Sequence, residues 1–414
     1  MAYMILLFNR AKRFLSLFSI KLGLRFRSFL ERRKYPSKCS IIYEREYLSE
    51  PVMLLALYEK GGLRNDVQCL LKFAKKLGIY TIGVNTRSMQ WDPEYSELLD
   101  CYIERDNFGR DFGSYKVGFN HIYSKSIDER CNRFLMINDS VFFSEKHCLS
   151  FLKIMFESEI DVLGATENHE IRHHLGSFCI SMSGNILRSD KLKKYWSNYK
   201  NSDIRPEVIA RGEMGLSQCL RSIVSADDQF RAYYDTAYVS SIIEDRTDEL
   251  LPLLDRLSCK SEHRGWRKFN WEDALNTSAF LKNSLLKPIG DDDFFFDVND
   301  WKGLEGLIPN NKGDIDPERF LGEFEEKVKA HFLTCFNSGS QIHANNIFLH
   351  YIGMPIIKLD GLYRGMFNAE DVENIASQLV PSQKDEFRRM MYSRPFGGHV
   401  LFGWKNTAFF NGFI

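Results

Sequence analysis

Beyond Pro36 the chain alternates short apolar runs with stretches of helical spacing. Cys39–Tyr43 reads as a strand. Asp66–Leu77 repeats its apolar residues at helical intervals and stops at Gly78, a common helix end. Ile79–Asn85 (IYTIGVN) reads as a strand, Pro93–Leu99 as a short helix and Cys101–Glu104 as a strand. A helix is expected over Asp111–Tyr123, a strand over Arg133–Asn138 (RFLMIN), a helix over Leu149–Phe156 and a strand over Asp161–Thr166 (DVLGAT). This β-α-β alternation predicts an α/β fold, a mostly parallel sheet flanked by helices. Ligands in such sheets bind beyond the carboxyl ends of the strands, so chemistry is expected just after residues 43, 85, 104, 138 and 166.

The pattern is less regular further on. Leu175–Ile186 reads as one strand or a bent pair, and Ser189–Tyr199 and Glu207–Val224 as helices with Arg211-Gly212 between them. A strand is expected near Ala237–Ile242. Residues 257–330 carry charge, Trp and several turns and read as a helical insertion or lid, with helices near Ala274–Leu286 and Pro317–Phe332. Residues 341–379 return to helix–strand–helix. The domain reading is therefore a segment 1–35, a core 36–256, the insertion 257–330 and a part 331–414 that completes the core.

Residues 1–34 change the picture by their charge. Apolar groups (Met4–Phe8, Phe14, Leu15, Leu17, Phe18, Ile20) alternate with Arg10, Lys12, Arg13, Lys21, Arg25, Arg27, Arg32, Arg33 and Lys34, and Glu31 is the sole acid. A basic amphipathic helix of this kind lies in the headgroup plane of an anionic membrane. The expectation is a cytoplasmic protein attached peripherally to the inner membrane face. No run is long and apolar enough to span a bilayer.

Composition adds mainly exclusions. The 414 residues hold 55 Lys+Arg and 55 Asp+Glu, so no net positive field points to nucleic acid. Nine scattered Cys with no Cys-x-x-Cys pair fit neither a zinc ribbon nor a disulfide framework. They read as small buried apolar residues in a reducing compartment.

Two segments carry most of the candidate chemistry. In Arg105–Lys116 (RDNFGRDFGSYK), between a strand and a helix, backbone N–H groups at the helix start favour an anion and Gly109 allows close approach. Arg110 suits a diphosphate and Asp111 a helix cap or a sugar hydroxyl. Asn107, Ser114 and Lys116 join them as candidate donor-binding residues. The strand end Asn138-Asp139-Ser140 is where a divalent metal or a sugar is expected, although Asp139 with Ser140 offers few hard oxygen ligands. Thr166, Asn168, His174 and Ser177, after the next strand end, are candidates for an acceptor pocket. Glu213 starts a helix and is a candidate general base. Lys358 is a late candidate for the phosphates.

Six segments in one order resemble the rhamnan synthesis protein F family of bacterial polysaccharide glycosyltransferases: NFGRDFGSYKVGF, FLMINDSVFF, DVLGATEN, HLGSFCISMS, EMGLSQCL and NNIFLHYIGMPIIKLDGLYRG. The resemblance runs over about residues 38–370 and leaves out 1–35 and 257–330. It implies a GT-A-like fold and transfer of a sugar, often L-rhamnose from dTDP-rhamnose, from a nucleoside-diphosphate donor to a growing surface polysaccharide or lipid-linked glycan. It also implies Mg2+ or Mn2+ at an Asp-x-Asp strand end. Here that end reads Asn138-Asp139-Ser140, so Asp139 alone stands for the metal and metal-independent transfer is the alternative. Glu213 takes the place of the base in inverting enzymes. A non-catalytic glycan-binding or scaffold protein at the membrane is the competing reading, and the missing second acid supports it. A dehydrogenase is disfavoured by the lack of a Gly-x-Gly-x-x-Gly turn.

Overall fold

The computed structural model describes residues 2–34, 39–169, 171–251, 253–254, 317–337, 339–394 and 401–413. The expected helix at Ala274–Leu286 and most of the 257–330 insertion lie outside them. The chain divides into two compact units, Met1–Tyr233 with Gly353–Ile414, and Tyr234–Ile352.

The first unit is built on an eight-stranded sheet. Its strands are β1 (Cys39–Glu44), β2 (Val52–Leu57), β3 (Tyr80–Asn85), β4 (Cys101–Arg105), β5 (Arg133–Asn138), β7 (Val162–Gly164), β10 (Cys179–Ser183) and β11 (Phe230–Ala232). Their order is β1-β4-β3-β2-β5-β10-β7-β11. Only β1 and β10 run against the rest, because β1 pairs antiparallel with β4 and β10 antiparallel with both β5 and β7. The sheet is thus mostly parallel, as expected. Two short ribbons complete the unit: β6 (Val141–Phe143) with β12 (Ile356–Lys358), and β8 (Glu167–Asn168) with β9 (His174–Leu175).

The central strand β2 (VMLLAL) is absent from the sequence reading. Every residue of it is buried on both faces, so it has no polar alternation, and a short continuous apolar run is not separable from a buried helix by period. From β2 the chain winds outward through β3 and β4, then returns to place β5 on the other side of β2. The strand order reverses between β2 and β5, so the crevice beyond residues 57 and 138 is where such a sheet takes a ligand.

The helix Arg110–Ser124 packs on one face of this sheet. Phe112, Tyr115, Phe119 and Ile122 join Val52, Leu54 and Ala56 of β2 and Trp196 in one buried cluster. Phe119 stacks on Trp196 with ring centroids 4.4 Å apart. Gly118 permits the close approach: a Cβ there would lie 2.2 Å from Leu54. The start of this helix is thereby fixed beside the strand ends.

The N-terminal segment is one helix, Ala2–Lys34. It does not divide into one apolar and one polar face. Leu17, Ile20, Leu24, Ser28 and Glu31 form a partly or fully covered stripe, and Arg25 and Arg32 bond Glu207 and the Asn201 carbonyl beside it. Phe14, Leu15, Phe18, Leu22, Phe26, Phe29 and Leu30 lie on another side, each 44–69% exposed. Apolar residues on two sides cancel in any one-sided measure of amphipathicity, which corrects the simple amphipathic expectation. Among the described residues no helix is long and apolar enough to cross a membrane.

In the second unit, the segment read as a strand near Ala237–Ile242 is the helix Thr236–Asp245. Asp235 caps it by accepting the Tyr238 N–H at 2.8 Å, and this start signal outweighs the β-branched content of the segment. The helix Pro317–Asn337 lies in the same unit.

Candidate functional site

The site grows from the exit of β2. Asp139 N–H donates to the Ala56 carbonyl at 3.0 Å, and the Tyr58 N–H donates to the Asp139 carboxylate at 2.6 Å. This exchange ties the β5 exit to the β2 exit across the switch point. Arg64 secures the turn that follows. Its guanidinium donates to the carbonyls of Asp139 (3.1 Å) and Val141 (2.9 Å) and to the Asp66 carboxylate (3.0 Å), and lies 3.3 Å from Glu59. Asp66 in turn accepts the Phe143 N–H at 3.0 Å. Burial pushes the Asp139 carboxyl up to about 7 and the Glu59 carboxyl up to about 8, outweighing the attraction of Arg64 for both. Glu59 and Arg64 do not figure in the sequence reading. Asp66 enters that reading only as the first residue of an expected helix, which the structure begins at Asn65.

This turn delivers Lys358. β6 pairs with β12 so that Lys358 stands opposite Val141. Its ammonium lies 3.4 Å from the Ser140 hydroxyl and 5.0 Å from the Phe178 ring centre. Ser140 donates its hydroxyl to the Asn138 amide oxygen at 2.7 Å, and the Asn138 amide donates to Asp111 at 3.0 Å. One hydrogen-bonded chain therefore runs Asp111–Asn138–Ser140–Lys358. Burial pushes the Asp111 carboxyl up, against the pull of Lys358, Arg110 and Arg105.

The loop before Asp111 is stitched from beneath by Arg105. Its guanidinium donates to the carbonyls of Asp106 (2.8 Å), Phe108 (2.6 Å) and Arg110 (2.5 Å) and to the Ser114 hydroxyl (2.9 Å). Asn107 and the loop it lies in are carried on that frame. Gly109 (φ 97°) and Arg110 (φ 51°) are both left-handed, a conformation Gly accepts freely and Arg holds at a cost of roughly 1–3 kcal/mol. Asp203 secures this bend: its carboxylate accepts the Gly109 N–H at 2.7 Å and its carbonyl accepts Arg110 Nε at 2.9 Å. Lys116 donates to the Ser197 and Tyr199 carbonyls at 3.1 and 2.6 Å. Ser114 and Lys116 thus hold the helix in place, whereas Asp111, Asn138, Ser140 and Lys358 converge.

The remaining pieces meet at Glu213, whose carboxylate feels the charge of Lys358. The ribbon β8–β9 sets Asn168 opposite His174. His174 Nδ1 donates to the Arg172 carbonyl at 2.7 Å, leaving Nε2 turned to Glu213 at 3.5 Å. Glu213 ends a π-helical turn, Ile209–Glu213, between two α-helical segments. Such turns insert a residue and re-aim side chains, often at functional sites. Gly212 is needed within it, because a Cβ there would lie 2.8 Å from the Phe112 ring. The Tyr195 hydroxyl donates to the Arg211 and Gly212 carbonyls. Burial pushes the Glu213 carboxyl up, but His174, Lys358 and Arg205 outweigh it and hold it below its ordinary value. The side chain keeps 30% exposure, so it faces solvent. Thr166 and Ser177 are almost wholly buried; Ser177 accepts the Tyr115 hydroxyl through its carbonyl at 3.1 Å. Arg205, also missed in the sequence, and Arg364 add positive charge felt at Arg110, and Arg205 is felt at Glu213.

A divalent cation fits this strand end poorly. The Asp139 carboxylate is turned inward to the Tyr58 N–H beside Arg64, and the Asn138 oxygen already accepts from the Ser140 N–H and hydroxyl. Among the described residues, metal-type side chains gather at Glu44, Cys101 and His121 and at Glu167, His169 and His173, neither group being this one. In the second group Arg221 donates to His173 Nδ1, so its Nε2 carries the proton given to Glu167.

Comparison with known proteins adds a family. Residues 84–245 match the family model of rhamnan synthesis protein F. This is the family the motifs resemble, and five of the six motif segments fall inside the match. An uncharacterized protein y4gN of Sinorhizobium fredii is 25% identical over 181 residues, 42% of this chain and 46% of its own length. Virulence protein VirA of Vibrio anguillarum is 28% identical over 127 residues, 30% of this chain and 40% of its own. The chain thus spans less than half the length of either curated relative. Among solved structures, the glycosyltransferase GlyE of Streptococcus pneumoniae is 10% identical over 69% of this chain and 63% of its own, with a TM-score of 0.27, too low to carry an argument about the fold.

Proposed function

We propose that this chain, whose residues 84–245 match the rhamnan synthesis protein F family, is a glycosyltransferase with a GT-A-like sheet. It moves a sugar, L-rhamnose from dTDP-rhamnose being the first donor to try, onto a hydroxyl of a growing polysaccharide or lipid-linked glycan. The observation that carries the reading is the convergence of Asp111, Asn138, Ser140 and Lys358 with His174 and Glu213 beside the switch point of a doubly wound sheet.

The roles follow from charge. The start of the helix Arg110–Ser124, with Arg110, Arg205 and Lys358, attracts the diphosphate. Asp111 and Asn138 bind hydroxyls of the donor sugar. Thr166, Asn168 and Ser177 border the acceptor side. Glu213 is ionised at neutral pH and exposed enough to meet an acceptor hydroxyl. In an inverting displacement the acceptor oxygen forms its bond to the anomeric carbon as the bond to phosphate breaks. The acceptor proton goes to Glu213 and the electron pair leaves with the nucleoside diphosphate. The basic helix with its exposed apolar side chains supports attachment to the inner membrane face, where lipid-linked acceptors are reached.

The test is Glu213→Gln. Transfer from dTDP-rhamnose should fall by roughly 10²–10⁴-fold, the usual worth of a general base, while dTDP still raises the melting temperature. A variant that turns over near the unaltered rate removes Glu213 from the mechanism. Absence of transfer or hydrolysis of any nucleotide sugar by the unaltered protein would favour the non-catalytic scaffold.

A further inference from the structure

The geometry points to a cation of the chain itself, the Lys358 ammonium, as the group that neutralises the leaving diphosphate in place of a divalent metal. The inference rests on the transferase reading and deepens it.

Breaking the bond between the anomeric carbon and phosphate leaves one more negative charge on the diphosphate, and some cation must meet it. Three observations place Lys358 in that role. First, the strand end lacks a free set of hard oxygen ligands. Asn138 spends its amide on Asp111 and its oxygen on Ser140, and Asp139 faces the interior at Tyr58 and Arg64. A divalent ion prefers several unencumbered oxygens, so its entry would break the chain of bonds that orders the site. Second, a cation is already there. The pairing of β12 with β6 sets the Lys358 ammonium 3.4 Å from the Ser140 hydroxyl, at the end of the strand where a metal would sit. Third, its charge is felt by both carboxylates of the site, Asp111 and Glu213. A metal of charge two beside that ammonium would be repelled.

Lysine suits this use as a compact point charge on a flexible stem, able to follow the phosphate oxygen as charge develops. Arg110 and Arg205 are the bidentate partners that orient the diphosphate.

The experiment titrates the full chain with dTDP, UDP and GDP in turn by calorimetry, in EDTA and then in excess Mg2+ or Mn2+. At least one nucleotide should bind in EDTA, with the dissociation constant within about threefold of that in metal. Lys358→Met should weaken that binding by ~10–100-fold, and Lys358→Arg should recover part of it. Binding that requires Mg2+ or Mn2+ overturns the role of Lys358 and leaves the transferase reading standing. Binding of none of the three nucleotides under either condition overturns both. The comparison in EDTA uses the unaltered protein, so it does not depend on the folding of a variant. Lys358→Met with unchanged affinity also overturns the proposal.

Discussion

Replacing Asp139 by Asn isolates the carboxylate that clamps the two strand exits. Asp139 is 5% exposed, and burial raises its carboxyl from an ordinary 3.8 to about 7. A raised carboxyl stabilises the fold fully when it is protonated in both states, below its ordinary value. That stability is lost as pH climbs through about 7, because the folded state must then hold a charge the unfolded chain carries in water. The shift is about three units, at ~1.4 kcal/mol per unit, so the ceiling on the loss is ~4 kcal/mol. Asn has the same shape, and its amide oxygen can still accept the Tyr58 N–H. The raised value already counts the attraction of Arg64 that Asn forfeits, so a gain of ~2–4 kcal/mol at pH 8 is expected. At pH 4 the two proteins should be nearly equal. Urea denaturation followed by circular dichroism, at pH 4, 6 and 8, measures the difference between them. Glu59, raised to about 8, titrates in both and largely cancels. A difference that stays constant from pH 4 to pH 8, or Asp139→Asn being the less stable at pH 8, would refute the reasoning. The same variant separates two roles: a metal acid at this position would lose nucleotide binding with Asn, whereas a buried clamp would keep it.

Asn138→Ala removes both the donor to Asp111 and the acceptor of the Ser140 hydroxyl. Affinity for dTDP should fall about tenfold, with about 1–3 kcal/mol of stability lost because buried polar groups lose partners; calorimetry and urea melts check both. Phe18→Asp with Phe26→Asp places two charges in the exposed stripe of the N-terminal helix, 56% and 64% exposed. Sedimentation with anionic vesicles should be lost while the melting temperature holds within a few degrees; unchanged sedimentation would remove the stripe from membrane attachment.

The frame of alternating elements was legible because most strands end in polar residues and most helices begin or end on recognisable signals. Gly78 closed one helix, and Gly109 with Asp111 opened another. β2 was not legible, because a strand buried on both faces shows no alternation, and with it went the switch point and the residues beyond its end. The segment Arg105–Lys116 was found, with Arg110 as its chemical arginine, but the arginine that does most of its stitching is Arg105 at the strand end. Both read as cationic. Only the fold decides which guanidinium turns under the loop. Asp139 was found as an acid at a strand end, and its inward turn is set by partners at Tyr58 and Arg64 that are 81 and 75 residues away. Glu213 owed its signal to a helix start, and it gained chemical meaning from a histidine delivered by a separate ribbon.

One short segment, Asn201–Glu207, links the N-terminal helix to the Gly109–Arg110 loop. On one side it receives the helix, through Arg32 on the Asn201 carbonyl and Arg25 on Glu207. On the other it holds the left-handed bend, through Asp203 on Gly109 and Arg110, with the Asn201 side chain packed where a Gly109 Cβ would be. The ion pair of Arg25 with Glu207 has an arginine 54% exposed, and such a pair contributes at most ~1 kcal/mol. It is therefore too weak to fold the segment by itself. The bend is the costlier feature, since Arg110 is held left-handed. Its energy must come from bonds that act together: Asp203 to the Gly109 N–H, the Asp203 carbonyl to Arg110, and Ser202 to both Glu207 and the Ile204 N–H. If the helix binds a membrane as proposed, it does so through a segment whose other face shapes the Gly109–Arg110 loop. Two features that look independent along the chain, a basic helix and a glycine-arginine turn, are thus joined by six intervening bonds in space rather than by sequence.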